Sequence, residues 1–259
     1  MNSEGASPAF VFPNASALNT LTRAQWDALL AGPPERAATW LSAAAHAGHA
    51  EAQAVLGQWL LDGRGVARNE TSAFAWFQRA AEQRHPMAAN MLGRCFEHGW
   101  GTAPDPQRAA SAYRASAELG LDWGMYNLAN LLATGRGVAL DHAAAFDWYR
   151  RAAALGHARS MNMLGRYHED GLVVPRDRDR ARALYRASAE AGDFRGRFSH
   201  ASMLAEQGEI DAAVRWFERI PDTAPKHYLA EVVQRLRASP LAALREVADR
   251  LEAQAAARA

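Results

Sequence analysis

Nine histidines, one cysteine and three Gly-x-Gly turns are the raw material for any catalytic or metal-binding reading of this chain. His98 follows Glu97, and His168 precedes Glu169 and Asp170. Each set joins an imidazole to a carboxylate, the pairing that serves general acid–base chemistry or metal ligation. His49, His85 and His157 occupy one repeated position, separated by multiples of 36 residues. They are therefore expected about a repeat apart, whereas a metal needs several ligands within a few Å. No metal site is expected. The lone Cys95 rules out an internal disulfide and a cysteine zinc cage. It shares a register with Trp59, Leu131 and Tyr167, which predicts a buried, inert thiol. The Gly63/Gly65, Gly99/Gly101 and Gly135/Gly137 pairs lack a following Lys-Ser/Thr and follow helical patterns rather than strands. They are read as turn glycines. With no nucleophile elbow, Walker loop or dinucleotide fingerprint present, the chain is expected to be non-enzymatic and without a cofactor.

The elements that carry these residues recur. Leu56, Leu92, Leu128 and Leu164 mark a 36-residue period with no insertion or deletion between them. A period of this size signals a solenoid, in which each unit buries its apolar face only against its neighbours. In the first full repeat Ala52, Leu56, Trp59 and Leu60 make one helical stripe, and Ala73, Trp76, Phe77, Ala80 and Ala81 a second. Ring pairs such as Trp76-Phe77 and Trp148-Tyr149 are predicted to fill gaps beside small residues at 73, 109, 145 and 181. Asn69, Asp105, Asp141 and Asp177 recur where a short polar side chain can cap the second helix.

The expected organisation is a disordered lead-in over 1–19 and a solenoid over 20–219. The solenoid comprises a degenerate unit at 20–48, full repeats at 50–84, 86–120, 122–156 and 158–192, and a shortened unit at 194–219. Capping helices are expected over 226–258, and Thr22 is the predicted N-cap of the first helix. Within the lead-in, Phe10, Val11 and Phe12 offer an apolar cap for the first repeat.

The string Leu164-Gly165-Arg166-Tyr167, Gly171, Asp177, Arg180-Ala181, Tyr185, Ala189 and Gly192 resembles the Sel-one-like repeat (SLR) of the tetratricopeptide-like superfamily. Departures are scattered: Ala129 replaces the helix glycine, Arg84 the terminal one and His168 an aromatic. The resemblance covers roughly residues 36–219. It implies an all-α, right-handed α-solenoid of antiparallel helix pairs, a tetratricopeptide-like superhelix. It also implies a scaffold or adaptor that binds a protein or peptide in its concave groove.

First helices line the inner surface of such a superhelix. The residues two before and two after each register leucine read Ala54/Gln58, Asn90/Arg94, Tyr126/Asn130 and Asn162/Arg166. Asn with Arg one turn on can hold a peptide backbone and a carboxylate, the amide donating and accepting while the guanidinium supplies a fork. Gln58, Asn90, Arg94, Tyr126, Asn130, Asn162 and Arg166 are thus the candidate peptide-binding wall, and Trp100, between two loop glycines, is a candidate loop contact. The competing classes are an accessory or regulatory subunit of an enzyme, and a module that self-assembles through its C-terminal helices.

Bulk composition narrows the partners. A net charge of +1 gives no long-range attraction to nucleic acid or anionic membrane. No stretch approaches the ~20 apolar residues of a membrane span. With 49% hydrophobic and 22% charged residues, an ordinary foldable and cytoplasmic chain is expected.

Overall fold

A computed structural model describes residues 22–257. The lead-in with Phe10, Val11 and Phe12, expected over 1–19, lies outside the described residues. Within them are fourteen α-helices and one short 3-10 turn, with no strand. In chain order the helices are α1 Arg23–Ala31, α2 Pro34–His46, α3 Ala50–Asp62, α4 Glu70–Glu82, α5 Pro86–His98, α6 Pro106–Glu118 and α7 Asp122–Thr134. They continue as α8 His142–Ala154, α9 Ala158–Asp170, α10 Arg178–Glu190, α11 Phe194–Glu206, α12 Ile210–Phe217, α13 Lys226–Arg237 and α14 Ala242–Ala257. Within each of two compact units, consecutive helices pack as pairs and neighbouring pairs pack on one another, the architecture of an α-solenoid. The chain divides into two compact units. One runs to Gly124 and includes Arg136–Val138; the other holds Met125–Gly135 and everything from Ala139 onward.

The boundaries have local causes. Thr22 and Gln25 form a reciprocal capping box at the start of α1. Asn69, Asp105, Asp141 and Asp177 each accept a bond from a first-turn backbone N–H of a second helix, at 2.8–3.0 Å. Two of the three repeated histidines do the same work for first helices, while His49 makes no side-chain cap bond. His85 Nδ1 accepts from Ala88 N at 3.1 Å and His157 Nδ1 from Ser160 N at 3.3 Å. At the matching place before α11, Asp193 accepts from Gly196 N at 2.9 Å. His85 and His157 are thus helix caps that accept through Nδ1.

Glycine is needed at two places in the repeat. The second loop glycine lies on the backbone of the preceding repeat. A Cβ on Gly101 would fall 2.2 Å from Glu70 O, and Gly101 also has φ +69°. In the fourth repeat Val173 holds this register at φ 70°, a conformation that costs a β-branched residue about 1–2 kcal/mol. The helix glycine faces a ring instead: a Cβ on Gly165 would sit 2.5 Å from Tyr185, and one on Gly93 2.6 Å from Tyr113. Arg84, which replaces the terminal glycine, adopts the left-handed conformation itself, at φ 61°.

Both rings of the Trp76-Phe77 pair are buried as expected, whereas the Trp148-Tyr149 pair divides its work. Phe77, Tyr113, Tyr149, Tyr185 and Phe217 are all essentially sealed. Of the tryptophans that precede them, Trp76 is still buried, whereas Trp148 is half-buried with the Arg151 guanidinium 4.6 Å above its ring. The second residue of each pair points between the helices, onto the helix glycine where there is one. Where the first is Trp76, Trp148 or Trp216, it lies under an arginine one turn on.

The carboxy-terminal helices are part of the core. Leu229, Val232, Val233 and Leu236 of α13, with Leu244, Val247, Ala248 and Leu251 of α14, form one buried cluster with Phe194, Leu204, Phe217 and Ile220. Among the described residues no helix is long and apolar enough to cross a membrane.

Candidate functional site

The acid–histidine pairs do not build a reactive centre. Tyr113 OH donates to Glu97 Oε2 at 2.6 Å, and Arg136 also binds that carboxylate. Glu169 Oε2 accepts from Tyr185 OH at 2.7 Å. Burial, with the neighbouring carboxylate second, raises both phenol pKa values well above the usual tyrosine range. The phenols therefore stay protonated and keep donating. These glutamates satisfy the buried hydroxyls of the core rings. His98 stacks on Trp100 with centroids 4.8 Å apart, and His168 packs edge-on against Phe146. Among the described residues no three His, Cys, Asp or Glu side chains converge as a metal site would need.

Cys95 is sealed on α5, and burial pushes its thiol pKa up to about 12. The thiolate is the nucleophile, so the native protein should resist iodoacetamide at pH 8 and react fully in denaturant. Fast alkylation of the folded protein, followed by mass spectrometry, would contradict the placement.

The candidate wall separates into two columns with different fates. Ala54, Asn90 and Asn162, two residues before the register leucine, are at most 5% exposed. They cannot form an exposed wall, so Asn90 and Asn162 are corrected to interior residues. Some first helices have a third packed side, against the first helix of the next repeat, as α9 has against α11. Ala54 shows it, lying in one cluster with Phe77 of α4 and with Ala88, Met91 and Cys95 of α5. Tyr126 of the same column is half-buried, with its ring 4.9 Å from His157 and 6.0 Å from Tyr149.

The column two residues after the leucine reaches the surface. In the amino-terminal unit, Gln58 spends its amide on both carboxylate oxygens of Asp62, at 2.9 and 3.0 Å. Arg94 lies 4.8 Å over the Trp100 ring. Trp100 is itself half-buried against the cluster around Phe77 and Cys95, so it is partly a packing residue.

The carboxy-terminal unit brings two candidates together. Asn130 of α7 and Arg166 of α9 line a cavity of about 280 Å³, with Ala133, Met163, Tyr167 and Leu172 among its other walls. Asn130 Oδ1 accepts the Tyr149 phenol at 2.6 Å, so the amide is oriented and its NH2 donors are left over. Burial holds the Tyr149 pKa high, which keeps that bond in place. Arg166 is exposed at the rim. Tyr167 OH lies 3.2 Å from His142 Nδ1. The arrangement offers amide and guanidinium donors above an apolar floor. It can hold an acceptor group attached to an apolar stem, although the Asp170 carboxylate also lines the cavity.

Comparisons with known proteins agree with this architecture. The family model described as Sel1 repeat matches residues 34–49, 50–85, 86–121, 124–157 and 158–193. The fold is similar to a Sel1 repeat protein from Oxalobacter formigenes, at 24% identity and TM-score 0.77, covering 91% of this chain and 99% of that one. It is also similar to c5321, a protective antigen of uropathogenic Escherichia coli with an SLR fold, at 26% identity and TM-score 0.66. That match covers 86% of this chain and 49% of the antigen. The immunity protein Pa5087 of Pseudomonas aeruginosa shares the fold at 16% identity and TM-score 0.54, with 80% of each chain covered. No curated protein matches the sequence. Five Sel1 repeat matches spanning most of the described helices, on a stack of paired helices, place this chain in the Sel1 repeat family.

Proposed function

We propose that this chain is a non-enzymatic scaffold that binds a protein or peptide partner, and that the Asn130–Arg166 cavity receives a carboxylate-bearing side chain of that partner. The Sel1 repeat fold commonly mediates protein–protein interaction, and its members are typically non-enzymatic scaffolds. One observation carries the reading. Two candidates from separate repeats open into one cavity, where Tyr149 already orients the asparagine amide. Met163 and Leu172 supply apolar contact for a side-chain stem, while Arg166 supplies a fork that matches a carboxylate.

Self-assembly through the C-terminal helices has less support, since their apolar stripes are spent on the chain's own fifth unit. An accessory role beside an enzyme is a special case of partner binding. The test is quantitative capture of partners from the native cell. Arg166→Glu reverses the charge at an exposed rim position and should leave folding intact. A charge-assisted contact is worth about 1.5–3 kcal/mol, so retention should fall by about 10- to 150-fold. Full retention by a normally folded variant would place the binding surface elsewhere.

A further inference from the structure

The leucine register breaks once. His200 stands 36 residues after Leu164, where earlier repeats place Leu56, Leu92, Leu128 and Leu164. The imidazole is as buried as the leucines it replaces, at 5% exposure, and its Nδ1 is sealed without a hydrogen-bond partner. An unsatisfied polar atom at a core position is costly, and it calls for an explanation other than packing.

The ring borders a cleft of about 470 Å³ between α10, α11 and α12. Arg182 and Arg186 form one wall, Trp216 another, and His200 and Leu204 belong to the helix between them. Trp216 meets His200 edge-on at 5.3 Å, which fixes the plane of the imidazole. Both arginines have donors to spare. Arg186 uses Nε on Glu190 at 2.8 Å, and Arg182 uses Nη1 on the neutral Gln207 Oε1 at 3.1 Å. Each guanidinium carries five N–H donors, so several are left for a ligand. With Nδ1 sealed, the less costly tautomer leaves that nitrogen bare and puts the proton on Nε2. The ring then contributes a donor as well.

We propose that this cleft is an oxyanion site, in which Arg182 and Arg186 grip a carboxylate or phosphate beside His200, with Trp216 as its apolar wall. The Arg186–Glu190 pair is solvent-exposed and therefore a weak competitor. Asp179, Glu190 and Glu209 also line the cleft and weaken its attraction for anions, so the grip depends on the spare donors of the two arginines. This site uses none of the residues of the Asn130–Arg166 cavity, so each stands or falls separately.

His200 is also its own reporter. Burial lowers its pKa, with Arg186 and Arg182 adding to the effect and Glu190 and Glu209 opposing it. An anion seated beside the ring favours the imidazolium and must raise that pKa. The experiment is a proton NMR titration of the His200 ring and the Trp216 indole in the full chain. The probes are sodium phosphate, sodium N-acetylglutamate, and sodium chloride at matched ionic strength. A saturable response with an upward His200 pKa shift is expected from phosphate or N-acetylglutamate, and the stronger of the two identifies the source of the oxyanion. Arg182→Gln with Arg186→Gln alters only exposed side chains and should weaken binding by ~10-fold or more, the loss expected for at least one charge-assisted contact. His200→Leu restores the register residue. It should fold at least as stably and lose affinity, read at the Trp216 indole. The proposal is overturned by an equal response to chloride, by no saturable response to either oxyanion at tens of millimolar, or by a double glutamine variant that titrates like wild type.

Discussion

Tyr149→Ala should destabilise the carboxy-terminal unit by about 3–5 kcal/mol, the cost of deleting a sealed aromatic ring from a packed core. Tyr149 is 0% exposed and its hydroxyl is held by Asn130. Removing it empties the space between the third repeat's helices and leaves the asparagine oxygen without its donor. The neighbouring Trp148→Ala is the internal control. Its ring is half-buried beneath Arg151, so its loss should cost only about 1–2 kcal/mol, from partial burial and a cation–π contact. Chemical denaturation of both variants gives the comparison. Equal losses, or a larger loss for Trp148, would mean that the two rings exchange places.

Deleting residues 241–259 should be at least as damaging. The deletion removes Leu244, Val247, Ala248 and Leu251, each at most 6% exposed. It uncovers Val232, Leu236 and Phe217, members of the same cluster. At ~1.5–3 kcal/mol for each large apolar side chain, the three larger residues alone represent upwards of ~5 kcal/mol, comparable to the whole stability of many domains. The expected product melts far below wild type and aggregates through the exposed apolar face. A monodisperse truncated protein with unchanged melting, by light scattering and calorimetry, would show that α14 is dispensable.

Much of the fold is legible in the sequence because its signals are local and repeated. The 36-residue spacing, the caps at Asn69, Asp105, Asp141 and Asp177, and the loop glycines each mark a boundary within one repeat. The site is less legible because it depends on contacts between repeats. Asn90 and Asn162 are polar and lie off the leucine stripe, yet both are only 4% exposed. Periodicity within one helix cannot report a third packed face. Trp148 and Tyr149 look equivalent in a pattern, and only their directions separate the sealed ring from the half-buried one. His200 carried one readable signal, a polar residue in a column of leucines. It becomes conspicuous only once the shortened fifth unit is aligned with the others.

The binding reading is tested most directly by photo-crosslinking from single positions in the living source cell. A benzophenone side chain in place of Met163 would sit in the wall of the Asn130–Arg166 cavity. One in place of Leu155 would sit on an exposed position outside the cavity, at 58% exposure. Cross-linking of a discrete partner from position 163, abolished by Arg166→Glu and absent from position 155, is the expected result. Cross-links from position 155 alone, or equal yields from both positions that persist in Arg166→Glu, would contradict it.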